Sequence, residues 1–459
     1  MSLLAEFLEI TQDWRAVFPQ QRTFHRALRQ SLGSLVCLGR RCLSRIIWTH
    51  GGQHRSWSAE YFLHSRCRWE PQHLFRPILK RALAHCPRRL VGVAVDDTRV
   101  RKTGRSIPQA FYQRDPMSPP FHVNLILGLR FLQASLLLPL HRTPQVGTRA
   151  VPIRFEEVSR VKRPGKRASE EMKKQYRAAV KQQNLSQRFV IMGEQLRREL
   201  DQAGGQDKIL VLAGDGSFCN RTCFRQIPER SVLLVRARRD AKLCFRAPAD
   251  SHRFYAIEKF TPEQVRKEDA HAWKTTKLFY GGKRRKVRYK TLDTVYWQGG
   301  ARQRPLRLIV IAPTAYRKTR SKKLYYRDPA YLLTTDLRSS VKQLLQIYLD
   351  RWQIEVNHRE EKDTLGVGQA QLWNVTAVPK QPVLAVASYG ALLLASLQAF
   401  GAERGSAYAQ LPKWRRHARR PSCLDLITLL RKQMTQQPQL LNPLGLKIAD
   451  SDLVRAAAA

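Results

Sequence analysis

Residues 90–97 read "LVGVAVDD", a run of valine and small apolar residues that ends in two carboxylates. The run is too short for a buried helix and rich in β-branched side chains, so it reads as a buried strand. Working outward, "FHVNLILGLRFLQASLLLPL" (121–140) supplies apolar stretches for two more strands. Residues 152–200 are dominated by Lys, Arg, Glu and Gln with Leu and Val at helical intervals, and read as a basic loop around "RPGK" followed by a long helix. Next come "KILVLAGDGSF" (208–218), a buried-type strand ending at Asp215, a short helical stretch, and "SVLLVRARRD" (231–240), another strand.

Three strands, a helix, a strand, a helix and a strand, with a final helix after an insertion, is the order of a ribonuclease-H-like fold. That order brings acidic residues after the first and fourth strands and on the last helix to one point. The expected architecture is therefore α/β: a helical, basic DNA-binding domain over 1–85, a ribonuclease-H-like catalytic core over 86–240 and 337–400, a β-rich insertion over 241–336, and a basic C-terminal tail over 401–459. The insertion is read from short alternating runs such as "KVRYKTLDTVYW" and "LRLIVIAP" set off by Gly-Gly and Pro. In the N-terminal part, "RRCLSRIIWTHGGQHRSWSAEYFLHSR" reads as two short helices around a Gly-Gly turn, whose arginines could reach phosphates.

The chain carries 82 Lys+Arg against 36 Asp+Glu, a formal charge of +46. Such an excess opposes compaction unless a polyanion is the usual companion, and nucleic acid is the default polyanion. No apolar run approaches the ~18 residues of a membrane span, and "PVLAVASYGALLLASLQAF" (382–400) is broken by polar residues. The N-terminus lacks a basic segment followed by an apolar one, so the expectation is a cytoplasmic protein acting on the nucleoid, with no membrane partner. The eight cysteines show neither zinc-type pairs nor a secreted disulfide framework, and read as buried free thiols.

Residues 348–362 read "YLDRWQIEVNHREEK". On one continuous helix Tyr348, Arg351, Glu355 and Lys362 fall within an arc of roughly 60°, beside an apolar stripe of Leu345, Leu349, Trp352 and Val356. Phosphodiester cleavage needs charge stabilisation on the attacking and leaving oxygens, which two divalent ions can supply. Hard cations such as magnesium take a few carboxylate oxygens and keep water, and Asp97, Asp215 and Glu355 fit that requirement. Asp96 competes with Asp97 for the same role, and Glu360 and Glu361 lie near Glu355 but point some 120° or more away from it on a regular helix.

With these residues in place, the sequence resembles a DDE transposase of a bacterial insertion sequence, of the insertion-sequence-4 superfamily defined by a Y-(2)-R-(3)-E-(6)-K signature, which Tyr348, Arg351, Glu355 and Lys362 match at every spacing. "GGQHRSWSAEYFLHSRCRW" and "KRPGKRAS" are similar to the insertion-sequence-701 type. The resemblance implies a catalytic triad of Asp97, Asp215 and Glu355 holding two Mg2+ ions, with Mn2+ as a substitute, and phosphate contacts from Tyr348, Arg351, Lys362 and Arg236. It implies double-stranded DNA as partner, both transposon ends and target, and a homodimer in the synaptic complex. In related enzymes an aromatic residue of the insertion holds a flipped base; here only Tyr331 and Trp297 present themselves for that stacking role.

Overall fold

The computed structural model describes residues 2–116, 118–119, 121–139, 147–317, 323–415 and 418–446. Residues 447–459 of the expected basic tail, with Arg416 and His417, lie outside the described residues. Five helices open the chain: α1 (Leu3–Gln12), α2 (Gln21–Val36), α3 (Leu43–Thr49), α4 (Trp57–Ser65) and α5 (Phe75–Leu83). The strands that follow are β1 (Leu90–Arg101), β2 (Phe111–Arg114), β3 (Leu125–Leu138) and β4 (Arg149–Glu157). After α6 (Glu170–Gln182) and α7 (Leu185–Gln202) come β5 (Ile209–Gly214), α8 (Arg221–Arg225) and β6 (Ser231–Arg236).

β1 pairs antiparallel with β3 and parallel with β5, β5 pairs parallel with β6, and β4 lies antiparallel on β3. The order β4-β3-β1-β5-β6 is a mixed sheet consistent with a ribonuclease-H-like DDE nuclease fold. Parallel strands buried on both faces need continuous apolar runs, and the core residues of β5 and β6 supply them.

The strands expected between 241 and 336 form, but as a continuation of the same sheet. After α9 (Pro262–Lys267) come β7 (Lys274–Tyr280), β8 (Lys283–Val295), α10 (Gln298–Ala301) and β9 (Leu306–Ile311). A two-stranded hairpin of β10 (Ala315–Tyr316) and β11 (Tyr325–Tyr326) precedes β12 (Ala330–Thr334). β12 pairs directly with β6, Leu332 opposite Arg236, and the order runs on through β9 and β8 to β7 at the far edge. An exposed edge on β6 is thereby covered by paired backbone.

The chain ends with α11 (Val341–Asp350), α12 (Gln353–Arg359), α13 (Ala377–Phe400) and α14 (Cys423–Gln436). By length and composition α13 could cross a membrane, with a mean hydropathy of 1.8, yet 83% of that window is buried in the protein. It is the central helix of a layer that joins α1 and α2 to β4, and its apolar residues share one hydrophobic core with Phe7, Phe24 and Phe131. The N-terminal helices thus form a layer on the catalytic sheet instead of a separate body.

Candidate active site

Residues directly opposite across an antiparallel pair share a face of the sheet. Asp96 lies opposite Gln133 and Asp97 opposite Leu132, so the two aspartates project to opposite sides. The face of Asp96 is marked by small residues: a Cβ on Gly92 would stand 3.1 Å from Ile347 of α11, and Ala94 packs with Ile347 and Ile354 of α12. Asp96 therefore faces the helices that carry Glu355. Asp97 does not: its Oδ2 accepts from Arg130 Nε at 2.8 Å, and Arg99 Nη1 lies 3.5 Å away. The geometry turns Asp97, expected in the triad, toward Arg130 and Arg99 and turns the alternative, Asp96, toward the other two acidic residues. Strand alternation is the reason. The signal legible in sequence was the small-residue stripe Gly92, Ala94, Asp96, which leaves room for a helix to approach.

Burial pushes the Asp96 carboxyl up to about 7, the Asp215 charge adds to this, and Arg351 pulls the other way. Asp215 follows β5 and caps a single helical turn, its Oδ1 accepting from Ser217 N at 2.9 Å. The turn role and a ligand role are compatible, since Oδ2 carries only a 3.2 Å contact from Ser217 Oγ. Glu355 is raised by burial and by Asp215 and lowered by Arg351, whose Nη2 stands 3.5 Å from Oε1. Asp96, Asp215 and Glu355 thus belong to one electrostatic cluster.

Four cations or donors ring the cluster. Arg351 is 12% exposed at the side chain, and its Nε and Nη1 are buried without a hydrogen-bond partner. Its guanidinium carbon lies 5.9 Å from the Tyr348 ring centre. Burial raises the Tyr348 phenol; Arg351 and Arg236 lower it, and Asp215 and Glu355 raise it further. Burial lowers the Lys362 ammonium, which Glu361 supports and which counts Asp96 among its charged neighbours.

The signature does not ride on one straight helix. α11 stops at Asp350, Arg351 and Trp352 form a turn, α12 runs to Arg359, and residues 360–364 close a π-turn in which Leu365 N donates to Glu360 O at 2.8 Å. The break moves Trp352 off the expected core stripe, leaving it 59% exposed while Leu345 is fully buried. π-turns inside helices recur at functional sites. Here it sends Glu361 into the core, 1% exposed, where Oε1 accepts from Gln133 Nε2 at 2.8 Å, and it lets Glu360 accept from the Tyr389 hydroxyl. Gln133, a polar residue inside an apolar strand directly across from Asp96, is the neighbour that sequence reasoning passed over.

Both proposed stacking aromatics make contacts within the fold. Tyr331 is 4% exposed within β12 and donates its hydroxyl to Glu263. Trp297 packs edge-on against Phe224 with ring centres 5.6 Å apart.

The donor set of two aspartates and a glutamate, all oxygen, suits a hard divalent cation, and such a cation would favour the ionised form of Asp96 that burial and the Asp215 charge oppose. Among the described residues no three His, Cys, Asp or Glu side chains are drawn close enough around one point to hold an ion. Arg351 supplies the compensating charge.

No curated protein matches the chain. A family model described as DDE superfamily endonuclease matches residues 15–304, which include Asp96, Asp97 and Asp215 but end before Glu355. The match spans more than half of the 459 residues, and the chain belongs to the DDE superfamily endonucleases.

Proposed function

We propose that this protein is the transposase of an insertion sequence, which binds the terminal inverted repeats of its element, cuts the DNA at the ends and joins them to target DNA. The observation that supports this most directly is the convergence of Asp96, Asp215 and Glu355 with Arg351, Tyr348, Arg236 and Lys362, from three strands and the broken helix over 341–364, on one electrostatic cluster. Asp96, Asp215 and Glu355 would hold the divalent cations. Two Mg2+ ions, or Mn2+ in their place, would activate the attacking oxygen and stabilise the leaving one. Arg351, with two unpartnered buried nitrogens, offers a bidentate grip on a phosphate, and Lys362 and Arg236 add point charges. Tyr348 donates a hydroxyl to the same backbone. These contacts position the DNA without reading its bases.

Charge balance supports the same reading. The cluster joins three carboxylates to three cations, and a phosphate brought to the cations leaves the carboxylates in need of metal. Synapsis of two ends calls for a homodimer on DNA. The test is incubation with magnesium and linear DNA carrying the ends of the element. Paired cleavage followed by strand transfer is the expected result. Cleavage without transfer identifies a nuclease of the same fold, and binding alone identifies a DNA-binding protein that has lost the chemistry.

A further inference from the structure

Residues 159–182 have no evident reason to be ordered. None of them is buried, and α6, thirteen residues long, touches the core with no side chain. An isolated helix of that length is marginal in water. Ser169 caps it, accepting from Met172 N, and Glu170 pairs with Lys173 at 2.8 Å. Those local contacts are worth little at an exposed site. Against them stands repulsion: the segment holds nine Lys and Arg and two Glu. Among the described residues Lys162, Arg163, Lys166, Arg167, Lys174 and Lys181 have no acidic partner.

Its two anchors are informative. β4 runs parallel to β1 and ends at Glu157, which is in register with Phe131; Phe131 in turn lies opposite Thr98, one residue past Asp97. Val158 N donates to Arg130 O at 2.8 Å, and the Arg160 guanidinium lies 5.8 Å from the Phe111 ring centre. At the other end, Ser186 in the first turn of α7 accepts from Asn220 Nδ2 at 2.8 Å; the same nitrogen donates to Ser217 O, and Ser217 N donates to Asp215. The segment therefore leaves and rejoins the fold at the carboxyl ends of β1 and β5. Those are the ends that present Asp96 and Asp215.

We propose that residues 159–182 form an electropositive arm that closes over duplex DNA held at the carboxylate cluster. The proposal rests on the DNA-cleavage reading above and adds a second contact region to it. Its partner is identified by charge: a segment with net positive charge, no acidic complement and no apolar burial gains its order from phosphates. Met172 and Val180, 53% and 41% exposed, lie on one stripe of α6 and are the feature that a protein partner would use instead.

The experiment compares two quadruple variants that remove equal charge. Lys162→Ala/Arg163→Ala/Lys166→Ala/Arg167→Ala empties the arm. Lys277→Ala/Lys283→Ala/Arg284→Ala/Lys286→Ala removes exposed residues from β7 and β8 at the far edge of the sheet. The probe is a linear duplex of arbitrary sequence, bound without divalent metal, and the readout is the dependence of affinity on salt. Removing one phosphate interaction lowers the log–log slope by about 0.9, so the arm variant should fall by about two to four units and the edge variant by less than about one. Saturating duplex should also protect the arm from trypsin. Equal slopes for the two variants, or an arm as open to trypsin with DNA as without it, overturn the proposal. A loss of self-association in the arm variant with an unchanged slope also overturns it, in favour of an interface between copies. If the parent protein binds the duplex with no salt dependence at all, the DNA-cleavage reading itself fails.

Discussion

The two faces of β1 and β3 treat charge in opposite ways. On the face of Asp97, the carboxylates are ion-paired: Arg130 and Arg99 hold Asp97, while Arg154 holds Glu156 and Glu199 and Arg188 holds Glu156 at 2.6 Å. The second group lines a cavity of about 600 Å³ with as many arginines as glutamates. On the face of Asp96, the charges are gathered but loosely paired, with Arg351 Nη2 standing 3.5 Å from Glu355 Oε1. The charge of Asp215 raises both Asp96 and Glu355, and Arg351 keeps two nitrogens without partners. Buried charge that is fully paired serves the fold, whereas buried charge left unmatched costs stability and is retained where a ligand completes it. Two adjacent aspartates of one strand fall on either side of that division.

The sharpest way to break the comparison is to remove one carboxylate from each side. Asp96→Asn, Asp215→Asn and Glu355→Gln are each expected to abolish magnesium-dependent cleavage while leaving DNA affinity nearly unchanged, because affinity comes from many basic residues elsewhere. Asp97→Asn should keep most of the cleavage rate, since its charge serves Arg130 and Arg99. A cleavage assay on linear DNA decides between them. Loss of activity in Asp97→Asn with retention in Asp96→Asn would reverse the assignment of the two faces.

Next in size is the cationic rim. If Arg351 and Lys362 grip phosphates beside the scissile bond, replacing either with Ala misplaces the DNA, and an error of 1 Å costs about 100-fold in rate. Single-turnover cleavage of pre-bound DNA should fall by about that factor, with a salt slope of binding lowered by only about one unit. Parental rates in both variants would make the rim an ordinary polar surface. On the paired face the expectation is inverted: Arg154→Met removes the cation that Glu156 and Glu199 share and leaves Glu156 to Arg188 and Glu199 to Arg76, so the loss of stability, read by denaturant unfolding, should stay below the roughly 3–5 kcal/mol of an uncompensated buried charge. Cleavage by the folded fraction should be unchanged.

The sequence made the core strands legible because each is a compact apolar run ending at a charged residue, and the strand order follows from their spacing. Asp215 is proposed for the same reason, whereas Glu355 is proposed from its spacing to Tyr348, Arg351 and Lys362. It left the choice between Asp96 and Asp97 open, because both residues end the same run and only the register with Gln133 and Leu132 decides which turns inward. The break at Arg351–Trp352 was hidden because residues 348–362 contain no Pro or Gly to announce it. The merging of residues 274–334 into the main sheet depends on the pairing of β12 with β6, a contact between segments distant in sequence that no local pattern encodes. The burial of Tyr331 follows from that pairing.

The smallest effect concerns a group bonded to Gln133, on the face of Asp96. Glu361 is fully buried beside Gln133, and burial pushes its carboxyl up to about 8, with the Gln133 hydrogen bond opposing the shift. The unfolded chain releases that proton near the ordinary value of 4.5, whereas the folded chain holds it to about 8. Between those values the folded state binds more protons than the unfolded state, so this group's stabilising contribution declines as pH rises through the window and is gone above it. Glu361→Gln has no such proton, still offers an oxygen to Gln133 Nε2, and can donate to Gln133 Oε1, which is buried without a partner. Urea unfolding at pH 5 and pH 8 should therefore find the variant close to the parent at the lower pH and more stable at the higher one. Asp96 titrates in the same interval in both proteins, so the difference between them isolates Glu361. An identical decline with pH in variant and parent would mean that Glu361 is ionised in the fold, with Lys362 as its counter-charge, and would place it on the paired side of the comparison.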